Sequence, residues 1–79
     1  MSSNRVDSSK VIIRAELSSK VREALEAKDW NLLEHWAKQW IQLDPGFVDA
    51  FKWLARASMA QTKLQKAAYA YGRILDFEP

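Results

Sequence analysis

The tripeptide Leu43-Asp44-Pro45 returns 34 residues later as Phe77-Glu78-Pro79. The same offset pairs Trp40 with Ile74, Ile41 with Leu75, Trp30 with Leu64 and Leu17 with Phe51. It also pairs Arg22 with Arg56 and Ala24 with Ser58. A chain that repeats at this interval is assembled from similar supersecondary units. Proline marks the boundary between them. Inside a helix it removes a hydrogen bond and clashes one turn back, at about 3 kcal/mol. Asp44-Pro45-Gly46 therefore separates two units.

Within each unit the apolar residues recur at helical steps. Ile13, Leu17, Val21, Ala24 and Leu25 share one face, which predicts a helix over about Ser9 to Ala27. Asp7, Ser8 or Ser9 could cap it. Asp29 is placed to cap a second helix, about Trp30 to Gln42, with Trp30, Leu33, Ala37, Trp40 and Ile41 inward. Leu32 and Trp36 widen that face. A third helix is expected from about Phe47 to Gln61, with Val48, Phe51, Leu54, Ala55, Ser58 and Met59 inward. Thr62 is a candidate cap for the fourth, about Lys63 to Phe77. The packing face there is Leu64, Ala67, Ala68, Tyr71, Ile74 and Leu75. No stretch alternates long enough to argue for a strand.

The expected fold class is all-α: four helices forming two tandem antiparallel hairpins. Residues 1–9 read as a polar, frayed tail. Residues 10–79 form the helical domain, with units at about 11–45 and 46–79. Composition agrees. Only two Gly and two Pro interrupt a chain rich in helix formers, and 48% of the residues are apolar, enough for a core.

The second unit resembles the tetratricopeptide repeat family. Phe51, Leu54-Ala55, Ala67, Tyr71 and Pro79 fall where that family places an aromatic, a Leu-small pair, a small residue, an aromatic and a closing Pro. Ala55 and Ala67 are small enough to let two helices approach closely. Phe51 and Tyr71 would fill the space around that contact. The first unit shares Lys28-Asp29-Trp30 and Leu43-Asp44-Pro45 with the pattern. It departs where Leu33 and Ala37 reverse the small-then-large order and where Lys20 takes an apolar place. In the second unit Ser58 stands where the family prefers Tyr, and Ile74 where it prefers Ala. The resemblance covers residues 11–79.

That resemblance implies a solenoid fragment whose hairpins stack with a right-handed twist. It also implies a protein–protein interaction module, in which the first helix of each hairpin lines a groove for a peptide or helix of a partner. The implied groove residues are Ser18, Arg22 and Leu25 in the first unit. In the second they are Lys52, Arg56 and Met59, with Asp49 at the edge. Arg22 and Arg56 are equivalent, and Arg pairs bidentately with carboxylates. The expected partner segment is acidic, or ends in a carboxylate, and carries one apolar anchor.

A repeat unit does not bury its apolar face alone. The second unit by itself is expected to leave Leu64, Tyr71 and Leu75 without a capping helix, which predicts self-association at that end or continuation into further repeats. Trp30 and Trp40 are expected in the core. Trp36 and Trp53 are candidates for an exposed apolar interface, Trp36 together with Trp40 on the convex side. A chaperone-like small subunit of a larger assembly, such as a secretion apparatus, would use these same surfaces.

Other chemistries find little support. There is no cysteine, so disulfides, thiolate metal sites and cysteine nucleophiles are excluded. His35 is the single histidine, and its neighbour Glu34 faces elsewhere on a helix, so no zinc site is expected. The Ser residues have no His–acid partnership, and Gly46 and Gly72 are isolated. No enzyme activity and no cofactor are expected. Twelve basic residues against ten acidic ones give a net charge of +2, without a cluster of four Lys or Arg. A weak single-stranded nucleic-acid binder remains the alternative of another class. The run Val11-Ile12-Ile13 is too short for a signal-peptide core or a membrane span, so a cytoplasmic protein without membrane insertion is expected.

Overall fold

The protein, seen in a computed structural model, is described over residues 2–78, with side chains described over residues 13–78. It is all-α. Four helices follow one another: α1 (Ser2–Ala27), α2 (Trp30–Leu43), α3 (Val48–Ala60) and α4 (Leu64–Phe77). Among the described residues there is no strand. Connections of two to four residues force neighbouring helices to run antiparallel. Each packs on the next in chain order, α1 on α2, α2 on α3 and α3 on α4.

The starts of α2, α3 and α4 fall within one residue of expectation. That of α1 does not. It is helical from Ser2, through the segment expected as a tail, and Asp7, Ser8 and Ser9 lie inside it instead of capping it. No Gly or Pro occurs between Ser2 and Ala27, so no residue there obliges the helix to stop. The expected stop at Pro79 lies outside the described residues.

The 34-residue period is written into the backbone hydrogen bonds. At the end of α1, Lys28 N–H donates to Leu25 O (3.2 Å) and Asp29 N–H to Ala24 O (2.9 Å). At the end of α3, Thr62 N–H donates to Met59 O (3.0 Å) and Lys63 N–H to Ser58 O (2.8 Å). The six-to-one bonds Asp29–Ala24 and Lys63–Ser58 close each helix around a left-handed residue, Lys28 at φ 53° and Thr62 at φ 59°. Thr62 is thus the terminator of α3, not a cap of α4. Lys63 holds the cap position without a side-chain bond. Asp29 does cap α2, its Oδ1 accepting from Leu32 N–H at 3.2 Å. The far ends match too: Asp44 N–H donates to Trp40 O and Glu78 N–H to Ile74 O, both at 2.8 Å.

The core combines large side chains with alanines. Leu17, Val21, Ala24, Leu33, Ala37, Trp40, Phe51, Leu54, Ala55 and Ala67 are buried as expected. Trp40 stacks on Phe47 (centroids 4.9 Å apart) and tilts against Trp53 (5.2 Å), so Trp53 belongs to this aromatic cluster. Ala50, Ala57 and Ala70 are also buried, although no inward role was expected for them. The reason for the first two is that α3 is covered on two sides, by α2 and by α4. Conversely, α4 is covered on one side, mainly by α3. Its buried face is Ala67 and Ala70, while Leu64, Ala68, Tyr71 and Leu75 are exposed, contrary to their expected inward placing. Ile13, Leu32 and Met59 are exposed as well.

Candidate functional site

Among the residues expected to line a groove, Arg22, Asp49, Lys52, Arg56 and Met59 are exposed, and Ser18 and Leu25 are half-buried. Several are engaged within the chain. The Arg56 guanidinium lies 5.5 Å from the centre of the Trp30 ring. Lys52 Nζ reaches Glu78 Oε1 at 3.2 Å and Asp49 Oδ1 at 3.9 Å. Neither of the two clefts described below is lined by any of these seven residues.

Of the residues assigned to an apolar interface, Leu64, Tyr71 and Leu75 come together. With Ala68 they recur at steps of four, three and four along α4, which places them on one stripe. Leu64 is 61% exposed, Tyr71 49% and Leu75 63%. Trp53 and Trp36 lie elsewhere. Trp53 packs in the aromatic cluster, and Trp40 is buried, so Trp36 and Trp40 form no exposed pair. Trp36 instead meets the edge of His35 (4.6 Å) and lines a shallow cleft of about 240 Å³ between α1 and α2, with Lys20, Glu23 and Leu32.

The stripe has a counterpart inside the molecule. An offset of 34 maps Leu64, Ala68, Tyr71 and Leu75 onto Trp30, Glu34, Ala37 and Ile41 of α2. In α2 these four are covered by the second unit. Ala37 is buried and Ile41 half-buried against Leu54, Ala55 and Trp53. Trp30 lies under Arg56, and its carbonyl accepts from Gln61 Nε2 at 3.3 Å. Glu34 is bonded to the α3–α4 connection and to α4. The face that α3 covers on α2 is therefore the face left bare on α4.

Glu34 is the charged residue that sequence reasoning missed. Its side chain is 6% exposed and gathers four donors. Lys63 Nζ (2.8 Å) and Gln61 Nε2 (2.9 Å) donate to Oε1. Lys66 Nζ (2.7 Å) and Lys38 Nζ (2.9 Å) donate to Oε2. Burial by itself would raise the pKa of this carboxyl, but the bonds from Lys63, Lys66, Lys38 and Gln61 outweigh it and hold the group far below the ordinary carboxylate range. The Lys66 ammonium is shifted up, chiefly by its bond to Glu34. The signal lay in the spacing. Trp30, Ala37 and Ile41 leave a gap at the step of four, and Glu34 fills it.

Beside this cluster a second cleft of about 400 Å³ opens between α2 and α4. Its lining combines the buried Leu54 and half-buried Ile41 with the exposed Tyr69, Lys38, Lys66, Gln42 and Gln65. Among the described residues no three His, Cys, Asp or Glu side chains are grouped to hold a metal ion. None of the described helices is long and apolar enough to cross a membrane.

No protein-family model, curated protein or solved structure matches the chain.

Proposed function

We propose that this chain is a protein-interaction module of the tetratricopeptide type, docking a helix of a second polypeptide along Leu64, Ala68, Tyr71 and Leu75. One observation carries the reading: the equivalent stripe on α2 is covered by an amphipathic helix, α3, and the α4 stripe offers the same spacing with more apolar side chains. Apolar side chains held in a row at this exposure favour association by removal from water, at about 25 cal/mol per Å². A helix laid against α4 as α3 lies against α2 would cover the stripe along its length. A chaperone-like subunit of a larger assembly would join its neighbours through the same stripe.

The experiment is an extension of the chain. Residues 46–79 are appended after Pro79, so that Pro79 is followed by Gly as Pro45 is followed by Gly46. The added α3 sequence then meets the α4 stripe. The expected result is a single unfolding transition at a higher melting temperature than the parent, since nearest-neighbour interfaces add stability in stacked units. Leu64→Glu with Leu75→Glu at the junction, but not in the appended copy, should erase the gain. Two independent transitions, or a gain indifferent to those substitutions, would refute the reading.

A further inference from the structure

We infer that the cleft between α2 and α4 binds an acidic peptide segment carrying one apolar anchor residue, with Lys38 and Lys66 taking the carboxylates and Ile41, Leu54 and Tyr69 taking the anchor. This surface is not the α4 stripe. Tyr69 lies roughly a third of a turn around α4 from Leu75, so the two sites are occupied and tested separately.

The argument begins with charge. Three ammonium groups surround one carboxylate, which leaves the cluster two positive charges in excess. Lys38 and Lys66 both contact the same atom, Glu34 Oε2, at 2.9 and 2.7 Å, which brings their ammonium groups together, and both residues line the cleft. An ammonium carries three donors. After the bond to Glu34 each therefore has donors left, and both side chains remain nearly half exposed, at 47% and 46%. Glu34 acts as a positioning residue. Immobilising a lysine on binding costs side-chain entropy, and here Glu34 has already restrained two of them. A carboxylate arriving there meets two cations in place.

The cleft is apolar and of side-chain size. Leu54 is buried and Ile41 half-buried, while Tyr69 is 57% exposed, and all three line the cleft. A volume of about 400 Å³ lies at the small end for ligand pockets, enough for one large side chain and part of its backbone. The partner must then place an apolar side chain beside acidic ones. A single-stranded nucleic acid would also bring anions, but it is recognised by stacking. Only Tyr69 offers a ring here; Ile41 and Leu54 are aliphatic.

The test is a titration of the isotope-labelled full chain, followed by two-dimensional amide NMR. The probe is the capped pentapeptide Asp-Glu-Leu-Glu-Asp. Shift changes are expected at Ile41, Leu54, Lys66 and Tyr69, with affinity falling several-fold when salt is raised from low ionic strength to about 0.3 M. Replacing the peptide's Leu by Ser should weaken binding about tenfold, as should Lys38→Gln combined with Lys66→Gln in the protein. Lys63 and Gln61 still satisfy Glu34 in that variant. Tyr69→Phe keeps the ring beside Phe51 and should bind like the parent, whereas Tyr69→Ser, at an exposed position, should weaken binding, its amide spectrum showing that the fold is kept. Three results would overturn the inference: unchanged peptide affinity in the lysine variant or in Tyr69→Ser, equal shifts from Lys-Lys-Leu-Lys-Lys, or stronger binding of an eight-nucleotide oligothymidine at the same resonances.

Discussion

Lys28 and Thr62 stand 34 residues apart and share one left-handed backbone conformation, with φ of 53° and 59°. Each ends the first helix of its unit, and each is followed by an N–H that reaches back five residues to the helix. Two unrelated side chains adopting one strained conformation at equivalent places means that the turn geometry is imposed by the packing of the hairpins. Glycine is the residue that ordinarily serves there, and neither unit has it.

Thr62→Gly should therefore stabilise the fold. A left-handed conformation costs an L-residue roughly 1–2 kcal/mol, and a β-branched one sits at the unfavourable end. Glycine gives back part of this through the greater freedom of its unfolded state. A net gain of about 1 kcal/mol would raise the melting temperature of so small a domain by about 4–8 °C. Thr62 is exposed, so little packing is lost. Lys28→Gly should gain less. Thermal unfolding followed by circular dichroism decides it, and a lower melting temperature for Thr62→Gly would contradict the strain.

Ser58→Ala is expected to stabilise as well. The Ser58 side chain is fully buried, and its Oγ has no hydrogen-bond partner among the described residues. Burying an unsatisfied hydroxyl costs about 1–3 kcal/mol, and removing it recovers part of that. Ser58→Val should instead destabilise, because it adds methyl groups at a fully buried position. Urea titrations of the two variants should move in opposite directions from the parent.

Helix existence and most of the core faces of α1, α2 and α3 were legible because apolar residues recur at helical steps between clear breaks. The exposed run Leu64–Leu75 was legible as apolar but not as outward. Period alone marks an apolar stripe without saying which of two adjoining stripes is covered, and on α4 the smaller residues, Ala67 and Ala70, meet α3. Glu34 was hidden for a different reason. A lone acid beside apolar positions looks like a solvated charge until Lys63 and Lys66, from distant sequence positions, join Lys38 on it. The burial of Ala50 and Ala57 depends on α3 being sandwiched, a property of the stack that no single helix reveals.

Glu34 should make stability fall at acid pH. Its folded pKa is held below the ordinary value of 4.5 by the lysine and Gln61 hydrogen bonds. A depressed pKa contributes stability that is fully present above the unfolded value and is lost as pH falls toward the folded one. Glu34→Gln removes this contribution and should cost about 2 kcal/mol at pH 7, less than for a fully buried pair because the lysines can turn to water. Below pH 4.5 the gap between parent and variant should close by up to about 1.4 kcal/mol per pH unit. Urea midpoints of both proteins between pH 7 and pH 3 measure it. A gap constant with pH would show that the carboxylate charge is not what stabilises the contact.

Three alanines test which side of α4 is core. Ala67 is 2% exposed and Ala70 0%, whereas Ala68 lies on the exposed stripe. Enlarging a close-packed position forces side chains off their rotamers and shifts backbone, typically costing 1–3 kcal/mol. Ala70→Leu and Ala67→Leu should each lose stability in that range, because α3 stands against them. Ala68→Leu should leave the melting temperature of the dilute protein within a degree or two, since it meets only water. At higher concentration the same substitution lengthens the apolar row between Leu64 and Leu75. Sedimentation of Ala68→Leu should then show more association than the parent, while Leu64→Glu with Leu75→Glu shows less. If Ala68→Leu destabilised the dilute protein as much as Ala70→Leu, the stripe would be part of the core, and docking along α4 would have no free surface to use.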